Sequence, residues 1–113
     1  MKPYLVLAPA NSKEGEPGKG TVLILPGNNN GYTHLIHEIF VSYSSEPTNG
    51  KLTISNKDGK VVFVQSVTEA GSTSFSFDMP VITGIAESVC VELFSGGEGV
   101  VGTITLIHEL SKV

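Results

Sequence analysis

Short runs rich in β-branched and aromatic residues recur from one end of this chain to the other, and Gly, Pro or Asn breaks each of them. No segment reads as a helix. Strands that alternate apolar and polar side chains must bury one face, and the economical way to do so is to pack two antiparallel sheets together. The expected fold class is therefore all-β, an antiparallel two-sheet sandwich of about eight strands with jelly-roll or other Greek-key topology. An immunoglobulin-like sandwich ranks second; the missing Cys…Trp…Cys pattern weakens only the true antibody type.

The individual runs are readable. Tyr4 to Ala8 is a short apolar stretch bracketed by Pro3 and Pro9, an edge strand or an extended arm. Asn11 to Gly20 is polar and reads as a loop, so residues 1–19 form an N-terminal strand or arm with its loop, and residues 20–113 form the sandwich of a single domain. Thr21 to Leu25 is a strand closed by Pro26-Gly27. His34 to Ser44 is the longest. Simple alternation puts Leu35, His37, Ile39, Val41 and Tyr43 on one face and His34, Ile36, Glu38, Phe40 and Ser42 on the other. Ile36 and Phe40 then make that second face more apolar than a solvated sheet requires.

Further along, Lys51 to Ser55 alternates with Leu52 and Ile54 inward, and Asn56-Lys57-Asp58-Gly59 is the clearest hairpin turn. Val61 to Val67 returns antiparallel, and Thr73 to Met79 carries Phe75, Phe77 and Met79 inward. Pro80 to Glu87 reads as a crossover loop. Val89, Val91 and Leu93 form the next inward set, and Val100, Ile104, Leu106 and Leu110 the last. Gly102 marks a bulge or a close approach of the sheets.

Composition narrows the function classes. Charged residues make up 16% of the 113, against roughly 25% in an average soluble domain, which points to surface covered by a partner or to outer faces built from Ser, Thr and Asn. Net charge is −4, and all seven basic residues are Lys. Without Arg or a basic cluster, neither nucleic acid nor an anionic membrane surface is an expected partner. No run approaches membrane-spanning length, and the first apolar stretch is too short for a signal peptide, so the expectation is a soluble protein made in a cytoplasm. A single cysteine, Cys90, excludes a disulfide within the chain and reads as a small buried hydrophobe.

Chemistry-bearing constellations are sparse. Ile36-His37-Glu38-Ile39 and Ile107-His108-Glu109-Leu110 nearly match, and if their strands pair the two imidazoles approach. Two histidines do not complete a tetrahedral metal site, and a Glu next to a His on a strand points to the opposite face. No metal or other cofactor is expected, and the histidines read as half-buried at the rim of the core. No Gly-x-Ser-x-Gly elbow or paired-acid motif is present, and Gly96-Gly97-Glu98-Gly99 leads into a strand, not into the helix a phosphate cradle needs. No catalytic residue is assigned. Carbohydrate or receptor binding is the alternative role, with Asn28, Asn29, Asn30 and Tyr32 as the possible ligand loop, although Trp is absent.

From His34 to Leu106 the chain also resembles the small β-sandwich decoration, or cement, proteins of tailed-bacteriophage heads. The resemblance rests on Ile36 to Ser44 followed by Pro47-Thr48-Asn49-Gly50-Lys51-Leu52-Thr53-Ile54, then Ala70-Gly71, Phe75-Ser76-Phe77 and Gly96 to Gly102. It implies a non-enzymatic clamp on the capsid exterior, made in the host cytoplasm, dimeric or trimeric, and bound across junctions of the major capsid protein. On that resemblance the arm Met1 to Pro9, with Tyr4, Leu5, Val6 and Leu7, reaches a neighbouring subunit or the capsid. Ile36 and Phe40 lie in the contact between copies.

Overall fold

A computed structural model of the chain describes residues 10–27, 31–82 and 87–112. Eight strands run through them: β1 (Ala10–Glu14), β2 (Thr21–Leu25), β3 (Tyr32–Tyr43), β4 (Lys51–Asn56), β5 (Val61–Ser66), β6 (Gly71–Ile82), β7 (Val89–Leu93) and β8 (Gly102–Lys112). They form two four-stranded antiparallel sheets, the first in the order β1-β8-β3-β6 and the second in the order β2-β7-β4-β5. Apart from the β4–β5 hairpin, successive strands pass back and forth between the layers, which is the interleaving of a jelly roll. The expected fold class is the observed one.

The core lies between the sheets. The first sheet supplies Ile36, Ile39, Val41, Tyr43, Ile104 and Leu106, and the second supplies Leu25, Leu52, Ile54, Val89, Val91 and Leu93. These alternate along their strands with less buried residues, as a half-buried pleated strand requires. Phe63 of β5 meets Phe75 and Phe77 of β6 edge-on, with ring centroids 6.2 and 5.3 Å apart. The contact closes the side of the sandwich where the last strand of each sheet lies. Gly102 marks a close approach: a Cβ there would lie 2.9 Å from Cδ2 of Leu93 on the facing sheet. The hairpin turn forms as read. Oδ1 of Asn56 accepts from the backbone N–H of Asp58 at 3.0 Å and of Lys60 at 2.9 Å, and Gly59 has φ 81°.

The structure corrects the alternation read along β3. Ile36 stands opposite His108 of β8, and Glu38 stands opposite Ile107, so His37 is an extra residue on β3. That bulge reverses the phase of the strand. Ile36 turns into the core at 0% exposure, on the same side as Ile39, Val41 and Tyr43. It is not part of an outer face. Leu110 is corrected too: it is 48% exposed, and His108 takes the inward position two residues earlier.

Two expected loops are partly strand. Asn11 to Glu14 belong to β1, whose register runs from Ala10 opposite Ile107 to Glu14 opposite Thr103. β6 continues through Pro80 to Ile82, which an edge strand permits because proline's missing N–H can face away from the ladder. The apolar run Tyr4 to Ala8 lies outside the described residues.

Candidate functional site

The two near-matching tetrapeptides do pair, through β3 and β8. Their histidines sort differently from the expectation. Nε2 of His37 lies 2.7 Å from Oε1 of Glu109, with both side chains partly exposed. His108 faces the interior beside His34, the ring centroids 5.6 Å apart and tilted by 56°. His34 is itself buried, at 4% exposure, and its Nε2 donates to the carbonyl oxygen of Pro26 at 2.8 Å. Burial, and then the proximity of His34 and His37, hold the His108 imidazole below its ordinary pKa of 6.5. Glu38 is directed elsewhere and accepts from the hydroxyl of Ser76 at 2.9 Å. Among the described residues no group of three His, Cys, Asp or Glu side chains is placed to hold a metal ion. The cluster is a pair of tucked-in rings beside a surface His–Glu contact.

The other expected residues scatter. Tyr32 opens β3 opposite Lys112 and is half-buried, while Asn28, Asn29 and Asn30 lie outside the described residues. So do Tyr4, Leu5, Val6 and Leu7. Phe40 is half-buried on the outer face of the first sheet, between Ser74 of β6 and Thr105 of β8. Ile36 is in the core, so Ile36 and Phe40 share no surface.

A groove that the residue pattern did not announce lies where the chain steps from the first sheet to the second. It has a volume of about 380 Å³ and is lined by Lys13, Glu14, Gly15, Glu16, Lys19, Gly20, Thr21 and Val22. Its wall is set by backbone contacts to the opposite end of the sequence. The N–H of Gly15 and the hydroxyl of Thr21 both donate to the carbonyl oxygen of Gly102 at 2.8 Å, and the N–H of Gly18 donates to that of Val100 at 2.9 Å. Glu16 and Lys19 form an exposed ion pair at 3.4 Å. The lining mixes ammonium, carboxylate and hydroxyl groups with a comparable share of apolar surface. The mixed charges of residues 13–19 were its one signal in the sequence, and by themselves they read as a solvated loop.

The second unexpected surface is the outer face of the second sheet. Ile24, Cys90, Ser55 and Val61 stand side by side across its four strands, and Val22, Glu92, Thr53 and Val64 form the next row. Ile24 is 59% exposed and Val64 56%, with Val61 and Val62 also open. Glu92 is the one charge in those two rows. Cys90 is half-buried on this outer face, a correction to its reading as a small buried hydrophobe, and burial followed by the charge of Glu92 pushes its thiol pKa up.

No family model and no curated protein matches the chain. Solved structures do. The CBM36-1 domain of a multidomain xylanase from the hindgut metagenome of Trinervitermes trinervoides superposes with a TM-score of 0.50 at 7% identity, over 87% of this chain and 74% of that one. The C-terminal CBM6 of LamC, a marine laminarinase from Zobellia galactanivorans, does so with 0.49 at 19% identity, over 92% of each chain. Latent PorU from Porphyromonas gingivalis gives 0.42 at 6% identity, over 87% of this chain but 13% of PorU. The likeness is one of fold. The CBM36-1 superposition agrees with the two-sheet fold, and none of these structures lends support to a virion or capsid role.

Proposed function

We propose that this chain is a non-catalytic binding module and that the groove between β1 and β2 takes a carbohydrate. The groove itself carries the reading. Its volume, about 380 Å³, falls within the range of small-ligand sites. Lys13 and Lys19 offer donors, and Glu14 and Glu16 offer acceptors, the mixture that a polyhydroxylated ligand satisfies. Two structures of the same sandwich type are carbohydrate-binding modules by name, which agrees with this use of the fold. The test is calorimetric titration with oligosaccharides selected on a glycan array, repeated on the double variant Glu14→Gln/Glu16→Gln. Binding by the unaltered chain that the variant loses supports the reading. Failure of every glycan to bind more tightly than about 1 mM sinks it.

One observation favours a second reading. The exposed apolar rows around Ile24 and Val64 are the kind of surface that marks assembly, which fits a decoration protein seated on the exterior of a phage head against its major capsid protein. On that reading Phe40 and the segment Tyr4 to Leu7 add contacts. Occupancy on purified undecorated heads, measured for the full chain, for Ile24→Lys and for a form lacking residues 1–10, tests it. Equal occupancy by all three would remove both surfaces from the contact.

A further inference from the structure

We infer that two copies of this chain join through β5, edge to edge, into one continuous eight-stranded sheet. The proposal goes beyond carbohydrate binding and does not depend on it, because the groove and β5 lie at opposite edges of the second sheet.

β5 is the last strand of that sheet and pairs with β4 alone among the described residues. Its other side therefore presents backbone donors and acceptors to whatever approaches. Natural edge strands are guarded by charge or proline. Val61-Val62-Phe63-Val64-Gln65-Ser66 contains neither, and Val61, Val62 and Val64 are exposed. The one blunting feature is Val62, the extra residue where the register slips between Ile54 and Ser55.

The flanking charges choose the occupant and its direction. Lys60 precedes the strand and Glu69 follows it, both exposed and neither in an ion pair among the described residues. A parallel neighbour of the same sequence would set Lys60 beside Lys60 and Glu69 beside Glu69. An antiparallel copy sets each Lys60 at the Glu69 end of the other, so the pairing is complementary to itself. Val64 is on the outer face and Phe63 on the inner. A two-fold axis at Val64 keeps outer residues opposite outer ones, with Val64 facing Val64 of the second copy and Phe63 facing its Gln65. This isologous geometry closes at a dimer. The surface involved is smaller than a standard interface, so the association is weak.

Sedimentation velocity from about 1 to about 200 μM gives the dimerisation constant. Val64→Lys puts two ammonium groups against each other at the axis and should weaken the dimer at least tenfold, about 1.4 kcal/mol. Lys60→Glu should weaken it, and Lys60→Glu/Glu69→Lys should restore it. In a Cys90→Ser background, Val64→Cys should cross-link to itself under mild oxidation, because opposed side chains on antiparallel strands lie within disulfide reach. Circular dichroism verifies that each variant is folded. A chain that stays monomeric throughout the range overturns the proposal. So does a dimer indifferent to Val64→Lys, or one whose Val64→Cys form does not cross-link.

Discussion

The hydroxyl of Tyr43 donates to the carbonyl oxygen of Phe94 at 2.7 Å, joining the end of β3 in one sheet to the residue that follows β7 in the other. The ring is buried, and it fits because Gly96 has no side chain: a Cβ there would lie 2.9 Å from two ring carbons. Burial raises the phenol pKa, partly offset by a hydrogen bond with the Lys51 backbone. Tyr43→Phe keeps the packing and strands the carbonyl. We expect a loss of about 1–2 kcal/mol in urea denaturation with an unchanged slope. A loss below a few tenths would mean that water replaces the phenol without cost.

The bulge at His37 assigns Ile36 and Phe40 opposite roles. Ile36→Ala removes fully buried methyl groups and should cost about 2–5 kcal/mol. Phe40→Ser, on the outer face, should cost about 1 kcal/mol or less. Equal costs in equilibrium unfolding would restore the uninterrupted alternation.

Acid should destabilise the fold through His108. Its folded pKa lies below its ordinary 6.5, so at a pH between the two the unfolded chain binds more protons. The contribution of the neutral ring is complete above 6.5 and is lost as the pH falls through the folded value. His34 and His37 lie beside it, and their charge interactions with it lower its pKa in the same direction as burial does. Urea midpoints measured from pH 7.5 down to 5 should fall more steeply for the unaltered chain than for His108→Gln. Parallel curves would place the acid sensitivity elsewhere.

Gly102→Ala should destabilise by about 1–3 kcal/mol, because the new methyl group meets Leu93 at 2.9 Å and Thr21 Oγ1 at 3.3 Å. The carbonyl of Gly102 also anchors Gly15 and Thr21, so the same variant should disturb the groove. Amide chemical shifts of residues 13–22, compared with those of β5 as an internal control, would register this.

The parts of the fold that were legible are those dictated locally. Leu52 and Ile54, and Val89, Val91 and Leu93, alternate on strands without a bulge at those positions, and Asn56 to Gly59 carries its own turn chemistry. β1 was not legible: Asn11, Ser12, Lys13 and Glu14 have no strand preference, and they extend only because Thr103 to Leu106 offer them a ladder. Nothing near His37 marks the bulge. It arises where β3 must satisfy β8 on one side and β6 on the other, and the register shifts against both. The groove escaped notice for a related reason, since its wall joins residues 15–21 to residues 100–102.

The position of β8 between β1 and β3 governs how this protein can be made. During synthesis β1 must wait for residues 102–112 before its only hydrogen-bonded neighbour among the described residues emerges from the ribosome. The first sheet therefore cannot be completed before β8 has been made. Its closure should depend on slow, long-range pairing, in milliseconds to seconds, and in that interval the greasy inner surface of the waiting strands is open to chaperones.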